Sequence, residues 1–172
     1  MPNNYKVGIV FEGLGRGTHQ AVSAVLPEAA FTQLGDLTTV TAKIVAPGPA
    51  AAVSRLEERV TKAVPAAVPL RVDQDLVSVS DIAHRVGRTR ESVRLLVDNK
   101  RGPGSFPAPF GVIGGGTRIW PWSVVLEWLD QALGVDLGER GVPPDAAAVL
   151  DARFAARRSP ALATALGLAG LT

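Results

Sequence analysis

The chain has 172 residues, of which 47% are hydrophobic and 20% charged, enough for one ordinary domain or two small ones with modest cores. It contains no cysteine, which excludes a disulfide framework, a thiolate zinc finger and a cysteine nucleophile, and suits a reducing cytoplasm. The formal net charge of +2 is too small to point to a polyanionic partner by itself, so the distribution of charge along the chain carries the argument.

Met1-Pro2-Asn3-Asn4 leads into a charged, strand-like segment and not into a basic n-region with an apolar core, so no signal peptide is expected. Tyr5-Lys6-Val7-Gly8-Ile9-Val10-Phe11 has β-rich, roughly alternating character and ends in glycines. Thr18 is the expected cap of a helix whose apolar positions Ala21, Val22, Val25 and Leu26 share a face, with Pro27 ending it. A short strand near Phe31 and a longer one over residues 40–45 follow. After Pro47-Gly48-Pro49, a helix over residues 50–64 sets Val53, Leu56 and Val60 on one side, and Leu70-Arg71-Val72 opens a last strand. The order βαββαβ over residues 1–75 predicts a ferredoxin-like domain, helices on one face of an antiparallel sheet.

This first domain shows no catalytic constellation. Gly13-Leu14-Gly15-Arg16-Gly17-Thr18 lies between strand and helix as a phosphate loop does. It lacks both the third glycine of a dinucleotide fingerprint and the Gly-Lys-Ser/Thr of a triphosphate loop. A flexible turn is the better account. His19 has no nearby sequence partner for metal or acid-base work, and Glu57-Glu58 sits among Arg55, Arg59 and Lys62, a pattern that suits i, i+4 ion pairing. Neither a metal nor a cofactor is expected, and the chain is not expected to be an enzyme.

The central segment, residues 76–133, is laid out differently. Ser80 is the expected N-cap of a short helix over residues 81–86 with Ile82, Ala83 and Val86 inward, and Gly87 ends it. Thr89 caps a second helix, residues 90–98, where Val93, Leu96 and Val97 share a face. At about 100° per residue, Glu91, Arg94 and Asp98 then project away from that face and Arg90 lies at its border. Asn99-Lys100-Arg101-Gly102-Pro103-Gly104 makes a basic turn, and Phe106-Pro107-Ala108-Pro109-Phe110 is held extended by its prolines. Residues 111–120 read as a hairpin with the glycine tip Gly114-Gly115-Gly116, Arg118 on its second strand being in reach of a backbone phosphate or a minor groove. Trp120, Trp122 and Trp128 are expected to pack this hairpin on a final helix over residues 124–133 capped by Ser123.

Charge is concentrated here. Residues 1–77 carry seven Lys/Arg against seven Asp/Glu and residues 134–172 four against four. Between Arg85 and Arg101, six basic side chains (Arg85, Arg88, Arg90, Arg94, Lys100, Arg101) face only Glu91 and Asp98. A helix that is apolar behind and carries Arg90 and Arg94 outward meets the requirements of major-groove entry, where arginine reads guanine edges.

Asp81-Ile82-Ala83, Gly87-Arg88-Thr89-Arg90-Glu91-Ser92-Val93, Phe106-Pro107-Ala108-Pro109 and Arg118-Ile119-Trp120 with Trp122-Ser123 and Trp128-Leu129 together resemble the MerR-like or excisionase-like winged helix-turn-helix. The resemblance is nearest to AlpA-type regulators and to actinobacterial proteins with a Gly-Pro-Gly-x-Phe-Pro-x-Pro wing and, in this chain, an added N-terminal α/β domain. It covers about a third of the sequence. It implies major-groove contacts from Arg88, Thr89, Arg90, Glu91, Ser92 and Arg94 and wing contacts from Lys100, Arg101 and Arg118. Leu95 departs from the polar or aromatic residue common at its position.

From Gly134 the sequence reads as a helical tail: a helix over residues 145–158, a break at Pro160 and a further helix over residues 161–168. Residues 161–171, the most apolar late stretch, fall short of the roughly 20 residues that span a bilayer. The expectation is therefore an α+β protein of three parts: a ferredoxin-like domain (1–75), a winged helix-turn-helix (76–133) and a tail (134–172). It binds double-stranded DNA as a homodimer, is cytoplasmic and nucleoid-associated, and most resembles a transcriptional regulator. Either the tail or the exposed sheet of the first domain supplies the dimer or protein-partner surface. Two alternatives stay open, a recombination directionality factor and a protein-interaction adaptor built on the same scaffold.

Overall fold

A computed structural model of the protein describes residues 3–165 and Gly167. It is a mixed α and β structure that divides into two compact units. The first comprises the chain up to Asp73 together with the segment that begins at Val142; the second is Gln74–Gly141.

In the first unit, strand β1 (Asn3–Glu12) pairs antiparallel with β3 (Leu37–Ala46) over its whole length, with Val7 opposite Ala42 and Ile9 opposite Val40. Strands β2 (Ala30–Leu34) and β4 (Val68–Asp73) are the edges, giving the order β2-β3-β1-β4 with every neighbour antiparallel. Alternation sets the inward rows: Tyr5, Val7, Ile9 and Phe11 on β1 and Val40, Ala42 and Ile44 on β3 are buried together with Val53, Leu56 and Val60 of helix α2 (Pro49–Ala63). Pro69 lies on edge strand β4, where its missing N–H removes no bond from a second neighbour.

Helix α1 (His19–Val25) buries Val22, and Leu26 at its C-cap, while Val25 is exposed. The expected four-residue face is therefore only half used, because a seven-residue helix that ends at Leu26 makes too few turns to lay both rows down. Thr18 does not cap it either. A single 3-10 turn (Arg16–Thr18) precedes α1, and the Thr18 hydroxyl donates back to the carbonyl of Gly15 at 2.8 Å.

The segment expected as a helical tail, residues 134–172, divides at Gly141. Helix α6 (Pro144–Arg158) belongs to the first unit and packs against β4, with Leu150 and Phe154 in the same core as Ile9 and Leu56. Its polar residues serve the backbone of the edge strand. Asp151 accepts from the Val72 N–H at 2.6 Å, and Arg158 donates to the carbonyls of Pro69 and Leu70 at 2.8 and 3.3 Å. Burial pushes the Asp151 carboxyl up despite that N–H bond. Arg157 of α6 takes Glu57 at 2.7 Å, so Glu57 pairs across to another helix and not along its own, as its sequence neighbours suggested. Helix α7 (Pro160–Ala165) follows. Of the helix expected over residues 161–168, positions 166 and 168 lie outside the described residues.

The second unit opens with strand β5 (Leu76–Val77), which pairs with β7 (Thr117–Pro121); β7 pairs in turn with β6 (Gly111–Ile113). Helix α3 (Val79–Arg85) is capped by Ser78, not by Ser80. Pairing with β7 keeps the chain extended through Ser78, and the helix starts immediately after. The cap is a reciprocal box: Ser78 Oγ accepts from the Asp81 N–H at 3.3 Å, and the Asp81 carboxylate accepts from the Ser78 N–H at 2.8 Å. The Ser78 hydroxyl also donates to that carboxylate at 2.6 Å, and this bond, followed by that of the Ser78 N–H, holds the Asp81 carboxyl below its usual range. Gly87, at φ +63°, turns the chain toward helix α4 (Arg90–Val97), whose cap Thr89 accepts from the Ser92 N–H at 3.2 Å. Helix α5 (Trp122–Leu133) starts one residue before the expected Ser123 cap; its N-cap is Pro121, the last residue of β7, and the Trp122 N–H donates to the carbonyl of Asp75 at 3.1 Å.

Candidate nucleic-acid interface

The tryptophans organise the second unit. Trp120, Trp122 and Trp128 are all buried, in one core with Val93, Leu96, Phe106 and Leu129. Each indole N–H is spent inside the unit: Trp120 donates to the carbonyl of Pro107 at 2.9 Å, Trp128 to that of Gly104 at 3.2 Å and Trp122 to Glu139 at 3.1 Å. Phe106 meets Trp120 edge-on at 5.6 Å and Trp128 at 4.7 Å. These contacts explain the Phe-Pro-x-Pro sequence. It is an irregular strap that two indoles pin to the core, leaving no tryptophan face available for base stacking.

The strap fixes the basic turn after α4. Asn99, at φ +54°, accepts from the Phe106 N–H through its side-chain oxygen at 3.0 Å. The N–H groups of Lys100 and Arg101 both donate to the carbonyl of Leu95, at 2.8 and 3.2 Å, closing the C-terminus of the helix. Gly102, at φ +81°, passes so close to Leu96 that a Cβ there would lie 2.7 Å from its Cδ2. Lys100 and Arg101 are exposed on this turn, as Arg88 and Arg90 are at the other end of α4.

Arg85, Arg94 and Arg118 are engaged. Arg94 grips Glu91 with two bonds, Nε to Oε2 at 2.9 Å and Nη2 to Oε1 at 2.7 Å, and its Nη1 donates to Asp98 at 3.2 Å. The other oxygen of Asp98 takes Arg118 of β7 at 2.7 Å. Glu91, Arg94, Asp98 and Arg118 thus form one chain of alternating charge with a net charge of zero. The Arg94 hydrogen bonds hold the Glu91 carboxyl below the usual range, and Arg118 does the same for Asp98. Arg85 is occupied as well, by a bidentate pair with Asp75 at 2.7 and 2.8 Å and by the Trp122 ring 4.8 Å away.

Of the residues singled out in sequence, then, Arg88, Arg90, Lys100 and Arg101 carry exposed charge, Thr89 serves as a cap, and half-buried Ser92 supplies the N–H it accepts. Arg94 and Arg118 meet at Asp98, and Glu91 joins them through Arg94; Asp98 is not among the candidate residues read from the sequence, although its i+4 spacing from Arg94 is visible there. The hairpin itself is uncharged from residue 102 to residue 117 and exposes Phe110, Val112 and Ile113.

The glycine turn of the first unit is closed by its own packing. Leu14 is buried and its carbonyl accepts the Thr38 hydroxyl at 2.6 Å, while the His19 ring stacks on Phe31 at 4.4 Å. Among the described residues no helix is long and apolar enough to cross a membrane. In comparisons with known proteins, no family model, curated protein or solved structure matches the chain.

Proposed function

We propose that this protein binds double-stranded DNA in a sequence-specific manner and acts as a transcriptional regulator, with α4 in the major groove. The observation that carries the proposal is the disposition of the exposed cations that flank α4. Arg88 and Arg90 stand at the N-terminus of α4 and Lys100 and Arg101 just past its C-terminus, all exposed. An eight-residue helix is about 12 Å long, close to the roughly 12 Å width of the major groove. Cations at both ends of such a helix match the two phosphate backbones that border the groove. Helices α3 and α4 joined through Gly87, followed by the β5-β7-β6 sheet, support a winged helix-turn-helix of the MerR-like and excisionase-like kind. The βαββαβ order with strand order β2-β3-β1-β4 supports a ferredoxin-like first unit, which serves a second copy of the chain or a protein partner.

A second reading, a protein-interaction adaptor on the same scaffold, draws on the uncharged hairpin with Phe110, Val112 and Ile113 exposed. The two are separated by fluorescence-anisotropy titration of the full chain against genomic duplex fragments between about 50 and 200 mM salt, beside an Arg88→Ala/Arg90→Ala variant. DNA binding predicts one or more fragments that resist competitor duplex and an affinity loss of about tenfold or more in the variant. Weak binding, indifferent to sequence and to both arginines, would overturn it and favour the adaptor.

A further inference from the structure

The four-residue chain Glu91–Arg94–Asp98–Arg118 asks for a reason. A helix offered to a polyanion gains nothing obvious from two carboxylates on its outward side. Here those carboxylates occupy the guanidinium groups of Arg94 and Arg118 through bonds of 2.7–3.2 Å. We infer that Glu91 and Asp98 are specificity-determining residues, withholding Arg94 and Arg118 from the phosphate backbone so that only Arg88, Arg90, Lys100 and Arg101 bind DNA regardless of sequence. The inference rests on the DNA-binding reading above.

The physics is an exchange of partners. A phosphate that captures Arg94 must detach it from a bidentate carboxylate and leave that carboxylate bare beside the phosphodiester. One anion replaces another and a repulsion is added, so the exchange yields little on arbitrary sequence. A base edge can change the balance. The N7 and O6 of guanine accept both bonds of an arginine fork without negative charge, and the released Glu91 can accept from the amino group of a cytosine. Asp98 extends the control to the hairpin, because it holds Arg94 of α4 with one oxygen and Arg118 of β7 with the other. The geometry therefore lowers affinity for DNA in general and preserves it where the bases satisfy Arg94.

The test is the salt dependence of binding by the full chain to a duplex of arbitrary sequence, for the wild type and a Glu91→Gln/Asp98→Asn variant. Each phosphate contact contributes about 0.9 to the slope of log affinity against log salt. Four cations give a slope of about 3.6 for the wild type, and release of two more raises it to about 5.4 in the variant, with roughly tenfold tighter arbitrary-sequence binding at low salt. A Glu127→Gln/Asp130→Asn variant removes two exposed carboxylates of α5 and leaves the chain of four intact; its slope stays at the wild-type value. If the double variant at 91 and 98 loses its fold by thermal melting, Glu91→Gln alone, on the exposed face of α4, raises the slope by about 0.9. An unchanged slope at 91 and 98, or an equal rise in the α5 variant, overturns the inference while DNA binding stands. A wild-type protein that binds no duplex overturns both.

Discussion

The two units are held together by different means. In the first, a ten-residue strand pairs along its entire length and the buried side chains are mostly aliphatic, so backbone ladders and alternation account for the order. In the second, residues 98–110 contain no helix or strand. They are fixed by side chains bonded to backbone: Asn99 to Phe106, Trp120 to Pro107 and Trp128 to Gly104. Among the described residues, the non-glycine ones with positive φ, Asp75, Asn99 and Ser105, also lie in the second unit. The comparison shows how a small core can hold an irregular, charge-bearing segment still. Loops offer surface for recognition, and here three hydrogen bonds to a buried aromatic cluster and its flank replace the missing ladder.

The contrast is broken most forcefully at the cores. Trp120→Ala removes a fully buried indole and is expected to destabilise by about 3–5 kcal/mol. Hydrogen exchange should show protection lost from residues 76–133 and retained in β1 and β3. Leu56→Ala is the mirror experiment, at about 2–5 kcal/mol, with protection lost from the first unit and kept in the second. Simultaneous loss of both units in either variant would contradict two separately organised cores.

A smaller change sharpens the same point. Asn99→Ala forces a β-carbon without a compensating side-chain bond into the left-handed region and frees the Phe106 N–H, for a combined cost of about 2 kcal/mol in thermal unfolding. Asn99→Gly relieves the backbone but not the lost acceptor and should cost about half as much. Equal losses in the two would mean that the left-handed turn is unimportant and the side-chain bond alone matters.

These contrasts also explain what was legible in the sequence. Alternation along residues 5–11 and the spacing of Val53, Leu56 and Val60 are local signals, and both segments form as their patterns require. Thr89 likewise caps α4 from three residues away. The misplaced features depend on remote partners. Ser78 displaces Ser80 as a cap because Val77 pairs with Trp120, and α6 joins the first unit through Asp151 reaching Val72, a partner 79 residues away in sequence. The candidate site divides in the same way. The exposed cations were visible as a basic run, and Arg94 with Glu91 and Asp98 had visible i−3 and i+4 spacings. The link from Asp98 to Arg118 depends on how the hairpin folds back, and no local pattern announces it.

The central claim is that recognition belongs to the second unit, and specifically to the two ends of α4. Amide chemical-shift mapping of the full chain with a bound duplex tests it most directly. The account predicts shifts concentrated at residues 88–94 and 99–101, with the strands of the first unit unmoved. Shifts confined to the first unit's sheet or to its glycine turn, with α4 silent, would contradict it.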